Sequence, residues 1–189
     1  DLEGLRPFCL EAMQGHASTR ERLPYLEEFY TPLRSYLGEV ESILDLACGL
    51  NPLALPWMPL AQGGRYQACD IYAEMAEFLN KFCLHAGVRG EAGLCDLTAE
   101  TPAQEVELAL VLKTLPCLEQ LDKSIGVRLL DGLQARHILV SYPARSLGGR
   151  AKGMPQNYSA QFERLTAGKP FRVERWQITT EILFLISRI

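Results

Sequence analysis

The hydrophobic positions of the chain follow two spacings, one typical of helices and one typical of buried strands. Within residues 1–14, and again between residues 18 and 37, apolar residues recur every three or four positions, which predicts two amphipathic helices. From residue 43 onward, short, mainly apolar runs alternate with polar or helical stretches. Such runs are typical of strands buried on both faces of a parallel sheet. The pattern therefore predicts an α/β fold in which two helices precede the first strand.

The predicted elements after residue 38 suffice for a seven-stranded sheet. Ser18 and Glu21 have the spacing of a capping box, which places the start of the second helix at Ser18 and its end near Gly38. The last two strands are separated by a tight turn and are expected to form an antiparallel hairpin. The predicted strands are 43–47, 65–69, 92–95, 107–112, 138–141, 171–179 and 181–187, and the predicted helices among them are 52–60, 73–86, 122–133 and 158–166.

The first apolar run leads into a sharp turn, in the sequence ILDLACGLNP. Gly49 permits a tight turn and a close approach to a ligand, Asn51 suits a helix N-cap, and Pro52 suits the first helical position. Free N–H groups at such a helix start favour an anionic or polar ligand group. One glycine is too few for the dinucleotide fingerprint. The pattern D-x-A-x-G-x-N instead resembles the first motif of S-adenosylmethionine (SAM)-dependent methyltransferases; an ordinary strand–helix turn without a ligand is the alternative.

Charged side chains follow three of the next strands at their carboxyl ends, where ligands bind in open α/β sheets. Asp70 comes 21 residues after Gly49 and is placed to accept hydrogen bonds from ribose hydroxyls. Its alternative role is the N-cap of helix 73–86. Asp96 follows the third strand and could accept from an adenine amine or serve as a loop cap. Lys113 follows the fourth strand at the same edge.

A basic, glycine-rich stretch, ARSLGGRAKGM, covers residues 144–154 directly after the fifth strand. Arg145, Arg150 and Lys152 lie there without an acidic neighbour. A cation-rich loop at the ligand edge of a sheet suits contact with phosphates. The alternative is a solvated surface loop whose charges have no partner.

Composition narrows the class of protein. The 189 residues are 48% hydrophobic and 22% charged, which suits one globular domain. No apolar run approaches the ~20 residues of a membrane span, and the N-terminus is not that of a signal peptide. The six cysteines form no C-x-x-C pair, so we expect buried thiols in a reducing cytoplasm rather than a metal site or disulfides. A net charge of −4 disfavours a wholly basic nucleic-acid binder.

Four stretches together resemble one family, the aminoglycoside-resistance 16S ribosomal RNA methyltransferases, which methylate N7 of guanine-1405. The stretches are HASTRERLPYLEEFY, LDLACGLNPLALPW, LKTLPCLEQ and SYPARSLGGRAKGM, and the resemblance runs from about residue 10 to the end. It implies a Rossmann-like class I SAM-dependent methyltransferase fold, a mostly parallel sheet closed by an antiparallel hairpin. It also implies SAM as methyl donor, S-adenosylhomocysteine as product, and helix 44 of 16S rRNA in the 30S subunit as partner of a monomeric enzyme.

The same resemblance implies a division of the chain. The family carries an N-terminal helical domain that docks on the 30S subunit. Residues 1–38 would be the end of that region, and residues 39–189 would form the methyltransferase domain. The basic docking surface would then lie largely before residue 1, which would account for the acidic balance of this chain.

The resemblance also implies roles for particular residues. Arg20 should pair with the SAM carboxylate, and Ala47 and Gly49 should line the methionine part. Asp70 should hold the ribose, with Ile71 against the adenine, and Asp96 and Leu97 should bind the adenine edge and face. Leu112 and Lys113 should close the pocket. Arg145, Arg150 and Lys152 should contact ribosomal RNA.

Guanine N7 carries a lone pair and no proton, so methyl transfer to it needs no general base and no catalytic residue is assigned. The target guanine must leave its stack. Tyr142, at the end of the fifth strand, is the candidate for stacking on it, with core packing as the alternative. Two other functions remain open: a noncatalytic SAM- or nucleotide-binding module, and a methyltransferase for a small molecule or protein.

Overall fold

The structure, a computed structural model, describes residues 2–144 and 154–189, and it contains the predicted alternation of strands and helices. Short 3₁₀ helices at Glu3–Leu5, Leu23–Tyr25 and Asn51–Trp57 accompany the main elements. The α-helices are α1 (Arg6–Met13), α2 (Ala17–Arg22), α3 (Leu26–Leu37), α4 (Ala73–Ala86), α5 (Leu115–Leu121), α6 (Ile125–Gly132) and α7 (Met154–Thr166). The strands are β1 (Val40–Leu46), β2 (Leu60–Asp70), β3 (Arg89–Leu94), β4 (Val106–Leu112), β5 (Ala135–Pro143), β6 (Phe171–Gln177) and β7 (Glu181–Arg188).

The seven strands form one sheet in the order β3-β2-β1-β4-β5-β7-β6. Strands β1 to β5 pair in parallel, whereas β7 runs antiparallel to both β5 and β6. This confirms the predicted mostly parallel sheet and its C-terminal hairpin. The chain winds outward from β1 to β3 and then returns to β4, so the direction of winding reverses between β1 and β4. Open α/β sheets bind ligands at the carboxyl ends of the strands beside such a reversal.

Apolar side chains from the two faces of the sheet enter two separate cores, because successive strand residues point to opposite faces. On one face Ile43 and Leu108 pack with residues of α1, α3 and α4. On the other face Leu46 and Val111 pack with residues of α6 and α7. The helices that precede β1 are thus part of the first core, and Met13, Phe29 and Leu33 within them are fully buried.

Proline breaks the second predicted helix. A single helix from Ser18 to residue 37 was the expectation, but α2 ends at Arg22 and a 3₁₀ turn, Leu23–Tyr25, precedes α3. Pro24 lacks the N–H group that would continue the helical hydrogen bonds, and the helical backbone is interrupted at Tyr25, with φ −124° and ψ 15°. The capping-box prediction is also wrong, because α2 already begins at Ala17 with His16 as its N-cap.

Helix α5 is absent from the sequence-based prediction, which expected a single helix over 122–133. The structure has α5 at Leu115–Leu121 and then α6 at Ile125–Gly132. A helix of seven residues is too short to show a clear helical spacing of apolar residues, and α5 follows β4 almost directly. The sequence therefore gives no separate signal for α5. Within residues 2–144 and 154–189, no helix is long and apolar enough to cross a membrane.

Candidate cofactor-binding site

A cavity of about 780 Å³ lies at the carboxyl ends of β1, β2, β3 and β4, at the reversal of the strand order. Its walls come from these strand ends and from one face of α5. Seven residues predicted from the sequence line it, namely Ala47, Asp70, Ile71, Asp96, Leu97, Leu112 and Lys113. The other lining residues are Tyr72, Leu94, Cys95, Thr98, Thr114, Cys117, Leu118 and Leu121. The structure therefore brings most of the predicted cofactor residues together in one concave site.

The Asp70 carboxylate is fixed by the backbone of two neighbouring segments. The Gly49 N–H donates to Asp70 Oδ2 at 2.8 Å, and the Ile71 N–H donates to Asp70 Oδ1 at 2.7 Å. Each carboxylate oxygen has further lone pairs, so it can still accept from a ligand hydroxyl. The turn after β1 and the end of β2 are thus joined through this one side chain.

Gly49 is required in the turn for two reasons. Its φ of +51° lies in the left-handed region, which side chains disfavour. A Cβ atom on Gly49 would also stand 2.9 Å from Cε1 of the His16 ring. His16 therefore covers the turn from the N-terminal helices, and the sequence prediction of a tight turn at Gly49 agrees with the structure.

Two residues without glycine's freedom also adopt left-handed backbone conformations, and both lie at the cavity. Ala47 follows β1 with φ +50°, and Lys113 follows β4 with φ +55°. The Lys113 N–H is held by the Ser141 carbonyl at 3.0 Å on the neighbouring strand β5. Such conformations cost free energy and cluster at ligand sites. Their position on both sides of the β1–β4 reversal marks this edge as functional.

The far end of the cavity is apolar, with one carboxylate at its rim. Ile71 and Leu94 are each 64% exposed there, and Leu97 is buried. The Thr98 hydroxyl donates to Asp96 Oδ1 at 2.6 Å, and the Thr98 N–H donates at 2.9 Å. These bonds lower the pKa of the Asp96 carboxyl, so it is ionised at neutral pH and able to accept from an amine. An apolar slot with one acceptor suits a flat heteroaromatic ring.

A buried ion pair lies directly behind the cavity. The Arg22 guanidinium donates to both oxygens of Glu181, Nε to Oε1 at 2.7 Å and a terminal nitrogen to Oε2 at 2.9 Å. Glu181 also accepts from the Ser141 hydroxyl at 2.6 Å, and Lys113 Nζ stands 3.8 Å from it. Arg22 opposes the effect of burial and lowers the pKa of Glu181. Lys113 is itself paired with Glu21 at 2.9 Å, so the cavity wall is tied to α2 and to β7.

The ion pair continues into a polar network on the sheet. Arg22 donates to Asn51 Oδ1 at 2.7 Å, and the Tyr30 hydroxyl donates to the same atom at 3.0 Å. The Asn51 amide then donates to Asp45 Oδ2 at 2.7 Å, and the Tyr66 hydroxyl donates to that oxygen at 2.6 Å. The prediction that Asn51 caps a helix is wrong, because its side chain is committed to this network and Leu50 is the N-cap.

Arg20 is not among the residues that line the cavity as described, and its pairing with a SAM carboxylate stays a prediction. Its side chain is exposed, and within the described residues it takes part in no hydrogen bond or ion pair. Helix residues two positions apart point in different directions. Because α2 turns Arg22 inward toward Glu181, it turns Arg20 outward.

Tyr142 is a core residue. It is fully buried, and its ring packs against Tyr158 at 4.9 Å and against Phe162 and Phe184 at 6.4 and 6.0 Å. The proposed stacking of Tyr142 on a target base is therefore wrong in this structure, and the core-packing alternative holds. The physical reason is that α7 and β7 close over this end of β5.

The remaining predictions concern the basic loop and the thiols. Arg145, Arg150 and Lys152 lie outside the described residues. All six cysteines are free thiols; Cys9, Cys48, Cys69 and Cys83 are buried, Cys95 is partly buried and Cys117 is exposed. Burial raises the pKa of the Cys9 thiol to about 11, which keeps it protonated and unreactive.

Replacing Asp45 by Asn should make folding stability less dependent on pH. Burial raises the pKa of the Asp45 carboxyl from 3.8 to about 7. Between these values the folded protein holds a proton that the unfolded chain releases, so this group's stabilisation is present at low pH and is lost as pH rises through 7. We expect the wild type to lose about 2.5 kcal/mol relative to Asp45→Asn between pH 5 and 8.

Urea denaturation of both proteins at the two pH values measures this difference. The Asn carbonyl can keep the bonds from Asn51 and Tyr66, so Asp45→Asn should fold normally. Parallel pH profiles of the two proteins would contradict a titrating Asp45.

The sheet order, the cavity at the strand reversal and the Asp70-braced single-glycine turn together define a class I SAM-dependent methyltransferase fold. Residues 1–186 match the family model described as ribosomal RNA methyltransferase (FmrO), and the chain belongs to this family. The family expected from the sequence motifs is therefore confirmed.

The names of curated relatives agree with this family. The chain is 39% identical over 188 residues to a 16S rRNA (guanine(1405)-N(7))-methyltransferase of Micromonospora echinospora, covering 100% of this chain and 69% of the relative. It is 42% identical over 189 residues to the enzyme of that name from Frankia casuarinae, covering 100% of this chain and 66% of the relative. The chain thus spans about two thirds of the length of these curated relatives.

Two solved structures similar to this chain are also those of 16S rRNA methyltransferases. The 16S rRNA methyltransferase RmtF, crystallised with S-adenosyl-L-homocysteine, superimposes with a TM-score of 0.86 at 34% identity. That match covers 100% of this chain and 73% of RmtF. The 16S rRNA methylase ArmA superimposes with a TM-score of 0.76 at 28% identity, covering 100% of this chain and 98% of that chain.

Proposed function

We propose that this chain carries the methyl-transfer centre of a 16S rRNA (guanine-1405 N7)-methyltransferase that uses SAM, releases S-adenosylhomocysteine and confers aminoglycoside resistance. The observation that carries the proposal is the cavity at the β1–β4 reversal, with the carboxylates of Asp70 and Asp96 in its lining. Relatives of this name match the whole chain at 39–42% identity.

The cavity residues suit the three parts of SAM. Asp70 can accept from both ribose hydroxyls, since its carboxylate is already oriented by the backbone. The adenine would lie between Ile71 and Leu97, with its amine near Asp96. Ala47 and the Gly49 turn, with their left-handed backbones, would approach the methionine part. Leu112 and Lys113 would close the site beside the reacting methyl group.

Catalysis in this site rests on positioning. Bound SAM supplies a methyl group activated by its sulfonium centre. Guanine N7 would take up that methyl group with its own lone pair as the S–CH3 bond breaks and leaves S-adenosylhomocysteine, so the protein need not remove a proton. The residues at the ends of β1 and β4 hold the methyl donor in one geometry, and an in-line approach of N7 gives the rate advantage of proximity. Direct attack also leaves no step for a metal ion.

The identity of the RNA partner and the domain organisation of the chain belong to the same proposal. We infer that the substrate is helix 44 of 16S rRNA within the 30S subunit, and that the enzyme acts as a cytoplasmic monomer. Residues 1–38 would end the docking region, and residues 39–189 would form the methyltransferase domain. Met13 and Arg22 belong to residues 1–38, and both are buried in the folded protein. Their burial supports a close connection between the two parts.

Transfer of labelled methyl groups from SAM tests the function. The full protein should methylate purified 30S subunits, and chemical cleavage at N7-methylguanine followed by primer extension should stop at guanine-1405. Naked rRNA, free nucleotides and small-molecule acceptors serve as comparisons. SAM binding without transfer to any of them would favour a noncatalytic module, and transfer to a small molecule or a protein alone would overturn the rRNA assignment.

The triple change Arg145→Ala, Arg150→Ala and Lys152→Ala should reduce 30S methylation strongly in the full protein. Each lost phosphate contact removes counterion release, so 30S binding should also become less dependent on salt. SAM affinity should stay within about twofold, because the change leaves the Asp70 and Asp96 carboxylates of the cavity in place.

Measuring SAM binding, 30S binding across salt and methylation on the same variant distinguishes three roles for the loop. A cofactor lid would lose SAM affinity together with activity, whereas a passive surface loop would lose neither. Cells expressing the variant should also become sensitive to kanamycin and gentamicin.

A further inference from the structure

A second concave surface lies across α5 from the cofactor cavity. This groove of about 560 Å³ is bounded by α5, α6 and α7. One face of α5 gives Cys117, Leu118 and Leu121 to the cavity, whereas Pro116 and Glu119 face the groove. A single short helix therefore forms the wall between the two sites. The groove is lined by Pro116, Glu119, Gln120, Lys123, Val127, Tyr158, Gln161, Arg164 and Leu165.

Two cations in the groove are available to a ligand. Lys123 and Arg164 are both exposed, and neither forms a salt bridge with a carboxylate in the described part of the chain. The acid of the groove, Glu119, accepts a hydrogen bond from Gln161. Burial raises the pKa of Glu119, while the charge of Arg164 opposes this effect. The groove as a whole carries a net positive charge. Its carboxylate and its side-chain amides can form hydrogen bonds with the polar edge of a heteroaromatic ring.

An aromatic ring lies in the same groove with firm support behind it. Tyr158 is partly exposed, and its ring stacks on Tyr142 with 4.9 Å between centroids and 26° between planes. Tyr142 is fully buried and packed by Phe162 and Phe184, so it holds Tyr158 in place. A rigid aromatic ring beside unpaired cations is the combination by which proteins bind single-stranded nucleic acid.

We propose that this groove binds an rRNA nucleotide that flanks the target guanine, with Tyr158 contacting the base and Lys123 and Arg164 contacting the backbone phosphates. The proposal rests on the function proposed above. An α-helix with its side chains is about 10 Å across. A strand advances about 3.4 Å per stacked nucleotide. A strand with its guanine in the cavity therefore reaches the groove within about three nucleotides, passing over α5.

Two sets of variants of the full protein test this assignment. Lys123→Ala/Arg164→Ala should weaken 30S binding about tenfold and reduce the slope of log affinity against log salt by about 1.4, the value for two contacts to a single strand. Tyr158→Leu should weaken 30S binding by at least about fivefold, whereas Tyr158→Phe keeps the ring and should bind within twofold of wild type.

The matched control removes two cations from the opposite edge of the sheet. Arg89 and Arg136 lie at the amino ends of β3 and β5, so Arg89→Ala/Arg136→Ala makes the same charge change away from the groove. SAM affinity should be unchanged in every variant, and thermal unfolding identifies any loss of folding. If wild type methylates 30S subunits and the groove variants bind like the control, the groove assignment is overturned. If wild type neither binds nor methylates 30S subunits, the proposed function itself fails.

Discussion

Glu181→Gln should lower the free energy of unfolding by about 3–5 kcal/mol, because it leaves the Arg22 guanidinium buried without a counterion. Both side chains are almost fully buried, at 3% and 0% exposure, so water cannot replace the lost charge. Urea denaturation at pH 7 measures the loss. The stabilisation by Glu181 should also disappear as pH falls below about 4.5, since the folded pKa of this carboxyl is lowered and protonation breaks the pair.

Two further variants isolate the cause of that loss. Glu21→Gln removes the more exposed partner of Lys113, and a pair of this kind contributes less than about 1 kcal/mol. Replacing both buried partners, as Arg22→Met/Glu181→Met, removes the charges together and should recover part of the stability. A loss below about 1 kcal/mol for Glu181→Gln, or a double variant no better than the single one, would contradict the assigned ion pair.

The cavity could be predicted from the sequence because its residues follow directly from local patterns. Asp70, Asp96 and Lys113 each follow a predicted strand, and the carboxyl ends of parallel strands meet at one edge. The sequence pattern predicts each strand, and the end of the strand then fixes the position of the residue that follows it. The structure accordingly places all three in the lining of the same cavity.

The polar network behind the cavity could not be predicted in this way. Arg22 and Glu181 are 159 positions apart, and only the packing of α2 on β7 brings them together. In the sequence, Arg20 and Arg22 are equivalent cations of one short helix. Their roles depend on the rotation of α2 about its axis, which no local pattern reveals.

The exposure of aromatic residues at the strand ends likewise could not be predicted from local sequence. Tyr142 stands at the end of β5, where sequence position alone suggests a ligand contact. Whether it reaches the surface depends on α7, and Phe162 and Tyr158 on that helix cover it. The ring that remains partly exposed is Tyr158, whose position comes from the tertiary fold.

Asp70→Ala should weaken SAM binding at least about a hundredfold. The carboxylate would accept two hydrogen bonds from the ribose, and a hydrogen bond to a charged acceptor contributes about 1.5–3 kcal/mol. Water compensates part of this, but each 1.4 kcal/mol that remains is tenfold in affinity. The change also leaves the Gly49 and Ile71 N–H groups without their acceptor, so the turn after β1 loses its brace.

Calorimetry with SAM and with S-adenosylhomocysteine measures the effect, and two variants separate its causes. Asp70→Asn keeps one oxygen acceptor and should lose less affinity, about tenfold. Asp122→Ala is the matched control, because Asp122 accepts from the N–H and hydroxyl of Ser124 at 2.8 Å and lies outside the cavity. SAM affinity of the control should be unchanged. If Asp70→Ala binds SAM within threefold of wild type, the ribose does not lie at Asp70, and the orientation of SAM in this cavity must be the reverse of the one proposed.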